Sequence, residues 1–322
     1  MLIRVIVLVA VIYFIIQAVL RGRKDLAEQE FSLREVNFRW LGASALLYAA
    51  AMIPMGIYWF RMLHALRQAP RLMPTFRAYC VGHLGKYVPG KAMVVVLRTG
   101  LLAGPQVNKT IVGASVFAET LTMMAVGAFI AAAMIAWKFS DQTWLLLMSI
   151  GLMLAAGFPT IPPVFTAVVK RLRLKSDAVD VESCLDGFTW RLMLFGWLAN
   201  GIAWCFIALS LWAVIQAMPD RVFDTAQTPH VRHLWNSLPS MLASTSLAMV
   251  AGFLSGLPGG VGVREVVFTQ LLQKPYGEIT ALIAPVLLRL VWLAVEFALA
   301  AVLMIGWRSK RQTNCAESQE IS

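Results

Sequence analysis

Charged side chains interrupt several long apolar segments of this sequence. They are three arginines and three glutamates: Arg98, Glu119, Arg264, Glu265, Arg289 and Glu296. A charge at the centre of a membrane helix costs about 2.5–3.5 kcal/mol on insertion scales, so each of these residues needs a partner or a function. Arg289 and Glu296 are seven residues apart and so share a face of the last helix. Such residues can form internal ion pairs that lock helices together, or they can line a polar path for a charged ligand.

The stretch from Gly256 to Glu265, with the sequence GLPGGVGVRE, is the most informative one. Gly259 and Gly260 allow a chain to approach closely and expose backbone amides. The helix predicted after this break presents an N-terminus, whose partial positive charge and free N–H groups suit a phosphate. Arg264 adds a fork of donors that can hold phosphate in a bidentate way. We therefore predict substrate contacts at Gly259, Gly260 and Arg264, with Glu265 as a counter-charge.

A second Pro-Gly break, in the sequence YVPGK from Tyr87 to Lys91, echoes the first. Arg98 follows its proline by nine residues, and Arg264 follows the other proline by six. This difference is about one helical turn, so each arginine lies on a similar face of its helix. Lys86, Lys91 and Arg98 can supply the matching basic group, although the two lysines can equally extend to the membrane surface. The remaining predicted site residues are the headgroup contacts Lys91, Arg98 and Arg289 and the counter-charges Glu119 and Glu296.

The composition excludes a soluble domain. Of 322 residues, 59% are hydrophobic and only 14% are charged, against about a quarter charged in soluble proteins. The net charge is +11, and the basic residues lie in short segments beside apolar runs, which suits anionic lipid headgroups better than nucleic acid. We therefore expect membrane lipids with anionic headgroups as partners, and no nucleic acid.

The sequence favours neither an enzyme nor a metal protein. It has no HExxH motif, no GxSxG motif and no acidic cluster suited to Mg²⁺. Its four cysteines are far apart and form no CxxC pair, so we expect neither a disulfide nor a metal site from them. His230 and His233 can be read as a metal site with nearby aspartates, but solvated loop residues are the favoured interpretation. We expect no catalytic residue, no metal and no cofactor.

Segments of about 20 apolar residues are long enough to span the hydrocarbon of a bilayer as helices. Six segments meet this length: Leu2–Leu20, Phe38–Phe60, Thr110–Trp137, Trp144–Val169, Leu192–Met218 and Ile279–Trp307. Stretches rich in Lys and Arg follow the second, fourth and sixth of them, which is one side of the membrane if the helices alternate. The positive-inside rule then places both termini in the cytoplasm of a multi-pass protein of the cell inner (plasma) membrane.

Two further apolar segments, Tyr79–Ala103 and Leu238–Leu272, contain the Pro-Gly breaks. Neither break can continue a regular helix, and each segment must return to its starting side to preserve the charge pattern. We predict both as re-entrant helical hairpins. The predicted fold is an all-α polytopic membrane helix bundle of six spanning helices plus two re-entrant hairpins, in an inverted repeat of approximately 1–137 and 144–307. A single transmembrane domain is expected over 1–312, followed by a disordered cytoplasmic tail over 313–322.

The sequence LPGGVGVRE, from Leu257 to Glu265, resembles the signature of the flippase-like membrane domain of lysylphosphatidylglycerol synthases. Supporting matches are the YVPG motif and three charged residues of the apolar segments: Arg98, Glu119 and Arg289. Lys91 departs from the glycine-rich first hairpin often seen in that family, and Thr120 replaces the arginine that usually follows the glutamate. The resemblance implies a stand-alone polytopic domain that moves or presents lipids, without the aminoacyl-transferring domain.

Three hypotheses for the function follow. The first is a flippase-like integral membrane transporter that translocates an anionic or phosphate-bearing lipid between leaflets. The second is a membrane platform that presents a lipid to a separate lipid-modifying synthase or glycosyltransferase, which is then its protein partner. The third is a membrane-embedded transferase that uses Glu119 or Glu265 as a base.

Overall fold

The structure is a computed structural model, and it describes most of the chain from residue 35 onward. The described residues are 16, 17, 20, 24, 35–88, 92–102, 107–138, 143–171, 184–223, 233–256, 260 and 262–320, with the backbone alone described at 138, 144–146, 149, 152, 221 and 306–320. The first predicted span, Leu2–Leu20, therefore falls largely outside the described residues. The same holds for the two Pro-Gly steps at 89–90 and 258–259 and for the predicted contacts Lys91 and Gly259.

The described part of the chain folds into helices. In chain order they are α1 (Phe38–Ala65), α2 (Leu72–His83), α3 (Ala92–Leu101), α4 (Lys109–Lys138), α5 (Thr143–Gly157), α6 (Pro162–Arg171), α7 (Trp190–Gln216), α8 (Leu234–Leu254), α9 (Val263–Tyr276) and α10 (Glu278–Glu320). Short 3₁₀ segments at Leu84–Tyr87, Phe158–Thr160 and Asp220–Val222 follow α2, α5 and α7. The all-helical class predicted from the sequence is confirmed for these residues.

Five of these helices, α1, α4, α7, α8 and α10, are long and apolar enough to cross a membrane. Four of them coincide with predicted spans, namely those beginning at Phe38, Thr110, Leu192 and Ile279. The fifth, α8, differs from the prediction. It was expected as one half-length arm of a hairpin, but it begins at Leu234 and its 21 residues are enough for a crossing. These helices fit a multi-pass membrane protein.

The fourth predicted span, Trp144–Val169, is bent rather than straight. Its two halves, Met153–Thr160 and α6, meet at 65°, and they count as a further crossing only if the bent pair is one span. Prolines cause the bend, because Pro162 and Pro163 at the start of α6 have no backbone N–H to continue the hydrogen-bond ladder of α5. The backbone of the last helix, α10, is helical as far as Glu320.

Helices α1 and α7 form the central contact of the bundle. The side chain of Asn37 caps α1 by accepting from the backbone N–H of Arg39, and Thr189 caps α7 in the same way. Ser44 of α1 and Ser210 of α7 lie 2.8 Å apart through their hydroxyl oxygens. Between membrane helices such small polar contacts replace the hydrophobic effect, since lipid is as apolar as the side chains. The indole of Trp292 on α10 donates to the same Ser210 hydroxyl at 3.0 Å, which ties the last helix to this centre.

Two pairs of consecutive helices, α2 with α3 and α8 with α9, pack against each other across the predicted breaks. Glycines allow the close approach in both pairs. A Cβ added to Gly85, in the 3₁₀ segment after α2, would lie 2.7 Å from the backbone nitrogen of Val94 on α3. A Cβ added to Gly260, just before α9, would lie 2.8 Å from the Cα of Gly252 on α8. We call these two units the first and the second helix pair.

Candidate functional site

A cavity of about 300 Å³ lies between the two helix pairs, with α1, α4, α7 and α10 completing its walls. Five of the predicted site residues line it: Arg98, Glu119, Gly260, Arg264 and Arg289. They come from α3, α4, the segment before α9, α9 and α10. Residues far apart in the sequence are therefore brought to one place. Of the other predicted site residues, Glu265 and Glu296 contact side chains of this cavity, and Lys91 and Gly259 lie outside the described residues.

Arg98 and Glu119 form a closed ion pair on one side of the cavity. Nη1 of Arg98 donates to Oε2 of Glu119 at 2.8 Å, and both side chains are only 2% exposed. The hydroxyl of Tyr79 donates to the other carboxylate oxygen at 3.2 Å. The guanidinium carbon also lies 4.2 Å from the Tyr79 ring centroid and 4.8 Å from that of Trp59, in cation–π geometry. This contact is an internal ion pair between two helices, which is one of the two interpretations that the sequence offered for these charged residues.

Lys86 makes the second ion pair; the sequence offered it as a possible basic group but did not include it among the predicted site residues. It lies in the 3₁₀ segment after α2, and its ammonium donates to Glu296 on α10. The hydroxyl of Tyr48 on α1 donates to the same carboxylate oxygen. Glu296 is fully buried, and its Oε2 atom has no hydrogen-bond partner within the described structure. Lys86 lies two residues before the VPG motif, and this proximity was the signal in the sequence that pointed to the site. A lysine that extends to the membrane surface was an equally supported interpretation.

Arg289 makes the third ion pair, with Glu265 rather than with the glutamate two turns along its own helix. Its Nη1 atom lies 3.3 Å from Oε1 of Glu265. The other oxygen of Glu265 accepts from the backbone N–H of Gly262 at 2.7 Å and so caps α9. The sequence predicts Glu265 as a counter-charge beside Arg264, and the close ion pair of its carboxylate is with Arg289. Neighbouring residues on a helix point about 100° apart, so Glu265 faces α10 while Arg264 points into the cavity.

Arg264 is buried without a carboxylate partner in the described part of the chain. The residue is 6% exposed, and its Nη1 atom contacts the sulfur of Met249 at 3.2 Å. Its Nε and Nη2 atoms are buried and have no hydrogen-bond partner among the residues that the structure describes. Its guanidinium carbon lies 5.2 Å from the ring centroid of Trp292. Because an unsatisfied buried donor is unfavourable, and a charged one more so, this side chain is suited to an anion in the cavity.

The rest of the cavity wall is largely apolar. Its apolar side chains come mainly from α3, α4, α7 and α8: Val94, Val95, Val116, Phe117, Met123, Met124, Ile207 and Phe253. Phe117 also has 56% of its surface exposed, so the cavity reaches the outer surface of the bundle beside α4. A cavity with a largely apolar wall, several charged side chains and an exposed apolar side chain in its lining can hold an amphipathic molecule.

Metal binding finds no support in this geometry. Among the described residues, no three His, Cys, Asp or Glu side chains are grouped so that they could hold a metal ion. The histidine pair considered from the sequence includes His230, which lies outside the described residues.

Comparison with known proteins gives no family for this chain. No protein-family model matches it, and no curated protein sequence matches it significantly. The resemblance to the membrane domain of lysylphosphatidylglycerol synthases therefore stays a prediction. The function has to be inferred from the cavity and from the charges around it.

Proposed function

We propose that this protein is a flippase-like lipid transporter that moves an anionic or phosphate-bearing lipid between the leaflets of a membrane. The observation that carries the proposal is Arg264, a buried guanidinium in a cavity between two helix pairs, two of whose nitrogen atoms have no hydrogen-bond partner among the described residues. A buried charge that its own protein does not neutralise destabilises the fold unless a ligand uses it. A phosphate group supplies both the charge and the acceptor atoms that Arg264 needs.

The proposed transport path follows from the two kinds of side chain that line the cavity. The headgroup binds where Arg264, Arg98 and Arg289 line the wall. The acyl chains stay against the valine, methionine and phenylalanine side chains and extend past Phe117 into the surrounding lipid. Translocation is slow in a plain bilayer because a charged headgroup must cross hydrocarbon, and cations at membrane depth lower this barrier.

The topology that we propose has six spans, with the two helix pairs as re-entrant hairpins of an inverted repeat. In this topology α8, although long enough to cross a membrane, is the longer arm of the second hairpin. It is supported by the packing within each pair and by the contribution of both pairs to one cavity. Broken helices that meet at the interface of inverted repeats are typical of secondary transporters. The basic segments predict that both termini are cytoplasmic, in the cell inner membrane. In this proposal the protein acts as a member of the flippase-like family and not as an enzyme.

Reconstitution into liposomes tests the proposal. We expect purified protein to accelerate the exchange of a fluorescent phospholipid analogue between leaflets, measured as the fraction accessible to a membrane-impermeant quencher. Arg264→Ala should reduce the rate to below about a tenth of wild type, because it removes the unpartnered cation. Arg191→Ala is the matched control, since Arg191 is exposed at the start of α7 and does not line the cavity.

The outcomes separate the three hypotheses. Exchange that is equally fast in the folded Arg264→Ala variant would contradict the proposed role of the cavity. Lipid binding without exchange would favour the platform, and a chemically altered lipid in the presence of a soluble donor would favour the transferase.

A further inference from the structure

The charges around the cavity do not cancel. The charged side chains that the structure describes at this site are four cations and three carboxylates: Lys86, Arg98, Arg264, Arg289, Glu119, Glu265 and Glu296. His83 also lines the cavity, and its Nδ1 atom lies 3.4 Å from Nη2 of Arg98. A guanidinium can only donate, so this Nδ1 atom accepts and the imidazole is neutral. The described site therefore has one net positive charge, and Arg264 holds it.

From this balance we infer that the cavity binds a singly charged phosphodiester and discriminates against doubly charged phosphomonoesters and diphosphates. The inference rests on the proposed function and specifies the headgroup class that the transporter accepts.

The three ion pairs explain why only one charge is available to a ligand. Glu119 and Glu265 accept from Arg98 and Arg289 at 2.8 and 3.3 Å, and Glu296 accepts from Lys86. A phosphodiester, with one negative charge, neutralises Arg264 and leaves these pairs intact. A phosphomonoester carries about −1.5 to −2 at neutral pH and above. Its second charge would be buried among apolar side chains and beside three carboxylates, which is unfavourable unless a pair breaks.

The free donors of Arg264 also match a phosphodiester in number and geometry. The unpartnered atoms are Nε and Nη2, which lie on one edge of the guanidinium and point their N–H bonds in parallel. This edge forms two parallel hydrogen bonds to a pair of oxygens on one phosphorus atom. A phosphodiester has two such non-bridging oxygens. A phosphomonoester has a third one, for which the described cavity offers no further unpaired cation.

Competition binding tests the inference with the full chain in detergent micelles. The probe is fluorescent phosphatidylglycerol, and the competitors are phosphatidylglycerol and phosphatidic acid with identical acyl chains, at pH 8. We expect phosphatidylglycerol, a phosphodiester, to compete roughly tenfold better than phosphatidic acid, a phosphomonoester, because the second charge meets like charges in the cavity. Equal competition, or stronger competition by phosphatidic acid, would overturn the inference.

A charge variant makes the test independent of acyl-chain effects. Glu119→Gln removes a carboxylate beside Arg98, raises the net charge of the site by one and should shift the preference toward phosphatidic acid. Glu278→Gln is the matched control, because Glu278 is exposed in the first turn of α10, does not line the cavity and should leave the preference unchanged. If Glu119→Gln does not fold, Glu265→Gln makes the same charge change at a side chain that is 28% exposed. An unchanged preference in a folded variant would contradict the charge balance.

A soluble competitor separates this inference from the proposed function. Glycerophosphoglycerol has the phosphodiester but no acyl chains. If it fails to compete while phosphatidylglycerol does, both the headgroup class and the lipid function are supported. If it competes as well as the lipid, the phosphodiester inference stands and the lipid function fails. If both lipids compete equally and leaflet exchange still depends on Arg264, the transporter stands and the phosphodiester inference fails.

Discussion

At the residue scale, Arg98 and Arg264 line the same cavity in different electrostatic surroundings. Arg98 donates to Glu119 at 2.8 Å and is packed against the Tyr79 ring. Arg264 contacts a methionine sulfur and the face of Trp292, and two of its nitrogens have no partner among the described residues. The first arginine therefore stabilises the bundle, and the second is available to a ligand.

The closed ion pair of Arg98 predicts a loss of stability when one of its two partners is removed. Arg98→Met should lower the free energy of unfolding by about 3–5 kcal/mol, because it leaves the carboxylate of Glu119 buried and unpaired. Adding Glu119→Leu should restore most of this loss, since an apolar pair has no charge to desolvate. Thermal unfolding of the purified protein in detergent measures both variants. A double variant as unstable as Arg98→Met alone would contradict the ion-pair assignment.

At the scale of elements, the position of Arg264 depends on how closely α8 and α9 approach. Gly260 and Gly252 bring the two backbones together, and a Cβ at Gly260 would lie 2.8 Å from the Cα of Gly252. Neither contact atom belongs to a flexible side chain, so the helices themselves would have to separate. The cavity and its unpaired arginine thus depend on a glycine contact within the second helix pair.

Gly260→Ala tests this dependence. We expect it to destabilise the protein by about 1–3 kcal/mol through overpacking, in addition to backbone strain, and to slow leaflet exchange by moving Arg264. Gly262→Ala is the matched control, because Gly262 also has a positive φ, 85° against 67°, but a Cβ there meets nothing within 4 Å. Melting temperatures and exchange rates of the two variants are compared. Equal losses in both would assign the effect to the backbone conformation alone.

At the scale of the whole molecule, the charge distribution predicts how the bundle lies in the membrane. Lys170 and Arg171 end α6, and basic residues likewise follow the second predicted span and the last one. The positive-inside rule predicts that these stretches are cytoplasmic, together with both termini.

Reporter fusions at the C-terminus measure this orientation in cells. We expect a fused fluorescent protein that folds only in the cytoplasm to be fluorescent, and a fused periplasmic phosphatase to be inactive. An active phosphatase would reverse the proposed orientation and, with it, the side from which each helix pair enters.

Much of the fold follows from local properties of the sequence. Four of the predicted spans are continuous helices, because a membrane helix satisfies its backbone within one segment and its length is set by the bilayer. The length of α8 and the 65° bend before α6 were predicted incorrectly. Both depend on how prolines are accommodated: Pro239 lies inside α8 without ending it, whereas Pro162 begins a new helix.

The sequence by itself determined that the chain has helices long and apolar enough to cross a membrane, and which charged residues those helices contain. The tertiary structure decided which of those charges are partnered: Glu265 binds Arg289, Glu296 binds Lys86, and Arg264 is left unpaired among the described residues. The physical reason is that these two kinds of property depend on residues at different distances along the chain. Hydropathy and helix length act within one segment, whereas an ion pair forms only between side chains that packing brings within about 4 Å.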